Sequence, residues 1–274
     1  MRCASRLTSA CSERAIQIKV FCVGRIGASL MRGVMRRSDA SHVVLWDFDG
    51  TLAFREGMWS QAVADVVARR CPTVAVSRES VSPYLSSGFF WHSPERPHPH
   101  IEGSDQWWSE LFPVLERAIC LSSGLTTEQA RRLLPEVRSE FLRPTAWTVY
   151  PDVEPCLKRL EAQGWSHVII SNHVPELEEL VLSLGLGRYF AAVFSSAHLG
   201  YEKPHPEAFR SVLRALSPHA EFRMVGDSYV ADVVGAEQVG IPCVLVRKPH
   251  ASATRYEADL TKVEFSTEAS RADA

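Results

Sequence analysis

The sequence predicts an α/β protein, built on a parallel β-sheet covered by helices on both faces, with a mostly helical segment inserted into its first crossover. Three observations carry that prediction. From residue 152 onward, short and continuously apolar strands alternate with amphipathic helices, and such strands, joined by helical crossovers, form parallel sheets buried on both faces. A further apolar run, Val43-Val44-Leu45-Trp46, stands far upstream and reads as a buried strand. Between them, residues 55–148 lack the alternation and are richer in aromatics, prolines and helical segments, which fits an insertion.

The elements follow in order. Asp152 to Gln163 is an amphipathic helix, with Asp152 suited to its cap and Gly164 to its stop. His167 to Ser171 is a strand, Pro175 to Leu184 a helix stopped by Gly185, and Ala191 to Ser196 another strand. Pro206 to Leu216 is a helix with proline in its first turn, where no N–H is needed. Phe222 to Asp227 is a strand, Val230 to Val239 a helix, and Cys243 to Arg247 the last strand. The sheet-forming core is thus assigned to residues 41–54 and 149–250, the cap insertion to 55–148, and a C-terminal tail to 251–274.

The first forty residues differ from the rest. Eight basic residues (Arg2, Arg6, Arg14, Lys19, Arg25, Arg32, Arg36, Arg37) stand against Glu13 and Asp39, a net of +6, so the remaining residues carry −8 of the total −2. Such a segment suits a disordered extension, a start codon placed too early, or a targeting peptide, since transit sequences are rich in Arg and Ser. The run Ile18 to Gly27 hints at a strand entering a glycine turn but lacks a full Gly-x-Gly-x-x-Gly.

Composition excludes several classes. A net charge of −2 argues against a general nucleic-acid binder, which needs clustered Lys and Arg. No apolar run approaches the ~18 residues that span a bilayer. The seven cysteines are odd in number and contain no Cys-x-x-Cys, which points to reduced thiols in a cytoplasmic protein and not to a disulfide framework or zinc site.

The informative residues lie at strand ends, because an open parallel sheet binds ligands beyond the carboxyl ends of its strands. The first strand runs into Asp47-Phe48-Asp49-Gly50-Thr51-Leu52. Alternation aims Asp47 and Asp49 the same way, and two close carboxylates need a cation or a shared proton. Asp-Gly is also a hairpin signal, yet no second apolar strand follows Leu52. The next strand ends in Ser171-Asn172 ahead of a helix N-terminus, a place that favours anions. Glu202-Lys203-Pro204 and Gly226-Asp227-Ser228, with Asp232 beyond, complete the edge. Taken singly, Ser171 and Asp227 suit helix caps and Lys203 a solvated surface. Together the acids make a hard oxygen site of the kind Mg²⁺ prefers, beside a hydroxyl, a helix terminus and an ammonium suited to phosphate.

This ordered set resembles the four motifs of the haloacid dehalogenase superfamily, over roughly residues 42–248, and the insertion resembles its helical cap. The resemblance implies a Rossmann-like parallel sheet core, a mobile cap domain and Mg²⁺-dependent phosphoryl transfer through an aspartyl-phosphate. It makes Asp47 the nucleophile and Asp49 the acid–base residue. It places Thr51, Ser171, Asn172 and Lys203 around the phosphoryl group. Asp47, the main-chain carbonyl of Asp49 and Asp227 would ligate the metal, with Asp232 orienting Lys203 or the metal waters. An acid at position 49 favours a phosphatase over a dehalogenase, because a halide leaves without a proton. The expected substrate is a small phosphorylated metabolite, with no nucleic acid and no membrane. A phosphomutase of the same fold and a non-catalytic phospho-ligand-binding protein are the alternatives.

Substrate choice is expected in the cap. Its candidate parts are the helix from Trp59 to Arg70, the loop from Trp91 to His100, and the helix carrying Trp107 and Trp108, of which at most one tryptophan should line a pocket. Prolines between the three loop histidines argue against a metal site, leaving a flexible loop that reaches toward substrate or a plain surface. His173 stands close enough to Ser171 to touch a leaving group.

Overall fold

The computed structural model describes residues 40–216 and 219–266. Residues 1–39, which hold nearly all of the basic extension and the Ile18–Gly27 run, lie outside the described residues. Six parallel strands form the main sheet in the order β5-β4-β1-β6-β7-β8. They are β1 (His42–Trp46), β4 (Ser166–Ser171), β5 (Phe190–Ser195), β6 (Glu221–Gly226), β7 (Cys243–Val246) and β8 (Tyr256–Glu257).

Strand alternation divides the core in two. Val44 and Trp46 of β1, with Ile169, Val225 and Val244, join one cluster, whereas Val43 and Leu45, with Val168, Met224 and Leu245, join the other. Each strand is apolar on both faces because each face has its own helices to cover. Helix α4 (Val153–Ala162) and α5 (Leu177–Ser183) lie on the first face through Leu157, Leu160, Leu177 and Val181. Helix α6 (Pro206–Ala215) lies on the second through Phe209 and Val212. The chain steps from β1 outward to β4 and β5, then returns to the other side of β1 as β6. The order therefore reverses at the carboxyl end of β1, where a crevice opens.

The insertion is helical, as expected, with α1 (Met58–Arg70), α2 (Ser104–Ser123) and α3 (Thr127–Phe141) as its long members. A capping box, in which Thr126 and Gln129 exchange side-chain and backbone hydrogen bonds, starts α3. Short antiparallel strands β2 (Ala53–Arg55) and β3 (Trp147–Val149) carry the chain into and out of the cap. Trp59 of α1 stacks face to face on Phe141 of α3, with centroids 3.6 Å apart, a contact worth about 0.5–1.5 kcal/mol beyond burial. Glu140 is buried among Arg55, Arg69 and Arg143 at 3.3, 3.3 and 2.7 Å. Burial alone would raise its carboxyl, but these arginines, Arg143 foremost, hold it below the ordinary range.

Two segments differ from the sequence expectation. Residues assigned to a C-terminal tail instead supply β8 and the buried Leu260 and Val263. Leu260 N–H donates to Asp152 Oδ2 at 2.7 Å, and Arg247 donates to Asp152 Oδ1 at 2.8 Å and to the Thr51 carbonyl at 3.0 Å. The second is the helix expected at Val230–Val239, which begins as a π-helical turn over Tyr229–Val234. There the N–H groups of both Asp232 and Val233 reach the Ser228 carbonyl, a widening that turns Asp232 fully into the interior. Among the described residues, no helix is long and apolar enough to cross a membrane.

Candidate active site

Asp47 follows β1 directly and continues its pairing, with its N–H on the Val225 carbonyl at 3.0 Å. Both oxygens of its buried carboxylate are held. Oδ1 accepts from Ser171 Oγ at 2.9 Å and Lys203 Nζ at 2.8 Å, and Oδ2 accepts from Thr51 Oγ1 at 3.1 Å. The loop then turns sharply through Gly50, whose φ of 82° favours glycine and where a Cβ would strike the Asp227 carboxylate. That close approach brings the first and fourth strand ends together.

Lys203 is buried between two carboxylates, 2.8 Å from Asp47 Oδ1 and 2.5 Å from Asp232 Oδ1. Burial opposes its charge, but Asp232 and then Asp47 outweigh it and hold the ammonium well above the ordinary lysine range. The other oxygen of Asp232 accepts the Ser228 N–H at 2.9 Å. Gly226 makes room for it, since a Cβ at that position would overlap the Asp232 side chain. Asp232 is thus bonded to Lys203 on one side and to the backbone on the other.

Asp49 stands on the same face as Asp47. Burial first, then the charges of Asp47 and Asp227, push its carboxyl well above the ordinary aspartate range, so the proton-bearing form is favoured. Burial and Asp47 likewise raise Asp227. Asp47, Asp227 and Asp232 each offer an oxygen within 4.8 Å of the others. Lys248 Nζ lies 2.5 Å from Asp227 Oδ2. With Asp49 favouring its protonated form, Asp47, Asp227 and Asp232 share this pocket with the ammonium groups of Lys203 and Lys248, an excess of negative charge that suits a divalent cation, and the all-oxygen donor set suits a hard one.

The structure therefore brings Asp47, Asp49, Thr51, Ser171, Lys203, Asp227 and Asp232 to one edge. The residues expected around phosphate differ in what they touch. Thr51 is fully buried, and its hydroxyl donates to Asp47 Oδ2 on the side away from Ser171 and Lys203, which share Oδ1. The Asn172 side chain donates to the Lys203 carbonyl at 2.9 Å and accepts the Lys203 N–H at 2.7 Å, so it fixes the loop that carries the lysine. Ser171 Oγ and Lys203 Nζ are the polar groups beside Asp47 that remain suited to a phosphoryl oxygen.

His173 lines the cavity above these groups. Its Nδ1 faces the Val174 carbonyl at 3.4 Å, and its Nε2 lies 3.9 Å from Asp49 Oδ1. Burial lowers its pKa to about 4, which keeps the ring neutral. Phe48, Phe141 and Trp147 surround it.

Sequence reading missed Lys248 and Glu176, and it named Glu202 at the edge without the partner that buries it. Lys248 follows the last strand, where its position just past the carboxyl end of β7 was the available signal. Glu176 ties the cap to the core, accepting Ser104 Oγ at 2.7 Å and Trp108 Nε1 at 3.1 Å and pairing with Arg138. Glu202 does the same through His98 Nε2 at 3.2 Å, both side chains buried, while the His98 N–H donates to the Gly200 carbonyl at 2.8 Å. The loop from Trp91 to His100 is therefore docked on the core at His98, instead of being a plain surface. Trp107 and Trp108 are both buried, and neither lines the cavity.

Comparison with known proteins agrees with this geometry. The chain is 33% identical over 156 residues to haloacid dehalogenase-like hydrolase domain-containing protein 3 of Mus musculus, covering 56% of this chain and 61% of that protein. It is 31% identical over 174 residues to a phosphoserine phosphatase of Thermus thermophilus, covering 60% of this chain and 68% of that one. The aligned region spans about three-fifths of the mouse relative's length. The fold matches that of a 2-haloacid dehalogenase from Pseudomonas syringae with a TM-score of 0.58 at 23% identity, over 81% of this chain and 95% of that chain. A family model for haloacid dehalogenase-like hydrolases matches residues 42–240, from the first residue of β1 through the cap to the approach of β7. A match that runs from β1 through the insertion to beyond β6, and so includes Asp47, Asp49, Ser171, Lys203, Asp227 and Asp232, makes this chain a member of the haloacid dehalogenase-like hydrolases.

Proposed function

We propose that the protein is a Mg²⁺-dependent phosphomonoester hydrolase that acts on a small phosphorylated metabolite through an aspartyl-phosphate on Asp47. The observation that carries this reading is the pairing of a hydrogen-bonded carboxylate, Asp47, with a second carboxyl two residues on, Asp49, whose surroundings favour its protonated form. Relatives named phosphoserine phosphatase, glyceraldehyde 3-phosphate phosphatase and phosphoglycolate phosphatase support the same chemistry.

The steps follow from the residues. An oxygen of Asp47 attacks phosphorus while the bond to the leaving alcohol breaks, and Asp49 gives that alcohol its proton. Lys203 and Ser171 are placed to bind the oxygens of the transferring group, which lowers the repulsion between carboxylate and phosphate. Asp49, now ionised, takes a proton from water, and the resulting hydroxide opens the acyl-phosphate, returning Asp47 and releasing phosphate. Asp47, Asp227 and the Asp49 carbonyl would hold Mg²⁺, which supplies charge neutralisation at the phosphoryl oxygens.

The deciding experiment is a phosphate-release screen of the purified full chain over a broad panel of phosphomonoesters with Mg²⁺. Release that disappears in EDTA and in Asp47→Asn is expected. Full release in either would overturn the reading. Bisphosphorylated sugars belong in the panel, because an isomerised product without free phosphate identifies a mutase.

A further inference from the structure

The cavity above Asp49 has a volume of about 620 Å³ and draws its walls from both cap and core. Its apolar lining includes Met58, Trp59, Phe89, Trp91, Phe141 and Val174. Four of these six are aromatic, and they form two stacked pairs. Trp59 lies on Phe141 at 3.6 Å with the planes 3° apart, and Phe89 lies on Trp91 at 4.6 Å with the planes 13° apart. Trp59, Phe89 and Phe141 are buried in these pairs, and Trp91, half-buried, keeps surface against which a flat apolar group can pack by dispersion and offset stacking.

The polar part of the lining lacks free positive charge. Lys203 is the one lysine or arginine among the lining residues, and it is already engaged by Asp47 and Asp232. The remaining polar side chains are serines, Asn172, His92, His173 and the acid Asp49. Asn172 is committed to the Lys203 backbone. His173 is buried with its Nδ1 turned to the Val174 carbonyl at 3.4 Å, and burial lowers the pKa of His92. Arg78, whose side chain lies beside the lining residue Gly57, is paired with Glu56. A substrate with a carboxylate or a second phosphate beside its reacting phosphate would bring that charge against an apolar wall with no free lysine or arginine in the lining to receive it. That is costly.

We propose that the alcohol half of the substrate is uncharged and carries a planar apolar ring, so that phosphomonoesters with a second anionic group are rejected. The proposal rests on the hydrolase reading above and narrows it. It sets this chain apart from phosphatases whose names denote carboxylate-bearing substrates, such as the phosphoglycolate and phosphoserine phosphatases among its relatives.

The test compares three esters of primary aliphatic alcohols, so that intrinsic leaving ability is nearly matched: benzyl phosphate, glycerol 1-phosphate and phosphoglycolate. With the full chain and Mg²⁺, kcat/KM for benzyl phosphate is expected to exceed that for glycerol 1-phosphate by roughly 30-fold, the value of burying a ring in an apolar pocket. It is expected to exceed that for phosphoglycolate by roughly 100-fold or more. Phosphoglycolate turned over as well as benzyl phosphate, or better, overturns the proposal and leaves the hydrolase reading intact.

Binding gives a readout that needs no turnover. Calorimetric titration with benzylphosphonate and with phosphonoacetate is expected to show the same preference for the ring. Preference without phosphate release from any ester would uphold the ring-binding cavity while the hydrolase reading fell, and equal or reversed affinities would overturn the cavity's assigned role. Trp91, half-buried in the cap, provides the matching variant. Trp91→Ala is expected to lower the ratio of benzyl phosphate to glycerol 1-phosphate kcat/KM by roughly tenfold, mainly through KM. An unchanged ratio, with both activities falling together, would mean that Trp91 only supports the cap and would overturn its part in recognition.

Discussion

His173 Nε2 and Asp49 Oδ1 face each other at 3.9 Å, two buried atoms that have no hydrogen-bond partner among the described residues. Each group is pushed toward its uncharged form, the histidine by burial and the aspartate by burial together with neighbouring carboxylates. An acid kept protonated beside an unprotonated base is the state required for donating a proton to a leaving alcohol.

The histidine makes stability depend on pH. Its ordinary pKa of about 6.5 falls to about 4 in the folded protein, so the unfolded chain takes up the proton first. Its contribution is therefore complete above about pH 6.5 and is lost as pH drops toward 4, at up to about 1.4 kcal/mol per pH unit. Urea denaturation in EDTA at pH 7.5, 6 and 5 should show this decline, and His173→Phe should flatten it. An identical pH slope in the variant would refute the assignment.

Asp47→Asn is nearly isosteric and should preserve the fold, while phosphate release falls by roughly a thousandfold or more, because an amide is not a nucleophile here. Circular dichroism and a phosphate assay check the two halves of this expectation.

Asp49→Asn should separate the two half-reactions. With p-nitrophenyl phosphate, whose leaving group needs no proton, the variant should release about one equivalent of nitrophenol and then stall as a phosphoprotein. Turnover of an alkyl phosphate should fall by about 10²–10⁴-fold. Steady turnover of both substrates at wild-type rates would remove Asp49 from proton transfer.

Mg²⁺ should raise the melting temperature. Three carboxylates, Asp47, Asp227 and Asp232, against two ammonium groups leave the folded site in need of positive charge, and a ligand at 100 times its Kd stabilises by about 2.7 kcal/mol. Asp227→Asn should lose most of that shift. A shift of equal size in the variant would place the ion elsewhere.

Gly226→Ala tests how Asp232 is seated. The added methyl would overlap that side chain, so a stability loss of about 1–3 kcal/mol is expected, together with a fall in phosphate release as Lys203 loses its partner. Wild-type values for both would show that the turn adjusts freely.

Much of the sheet was legible because its information is local. Val43 to Trp46 are apolar in unbroken succession and Asp152 to Gln163 repeat with helical period, and in a parallel sheet the site must then lie at the strand ends. Asp47, Ser171 and Asp227 could be found that way, since each ends or directly follows an apolar run, whereas Lys203 stands beyond a short helix after β5. Other residues depend on a distant chain. Nothing near Glu202 in sequence announces that His98, 104 positions away, will bury it, and Glu176 reads as an ordinary surface acid until Trp108 and Arg138 close over it. The segment from Tyr256 to Val263 is short and mixed in polarity, so its place in the sheet and core comes from the partners it meets there.

Arg247 has the broadest reach of these distant links. It adopts a φ of 62°, and the Lys248 N–H closes onto the Val246 carbonyl at 2.6 Å, a tight three-residue turn that costs energy for a non-glycine residue. Its guanidinium meanwhile covers the Tyr150 ring at 3.6 Å. The same residue donates its own N–H to the Glu257 carbonyl of β8 at 3.1 Å, so one side chain and one amide tie the outermost strand of the sheet to the loop that carries Asp47 and to the chain leaving the cap.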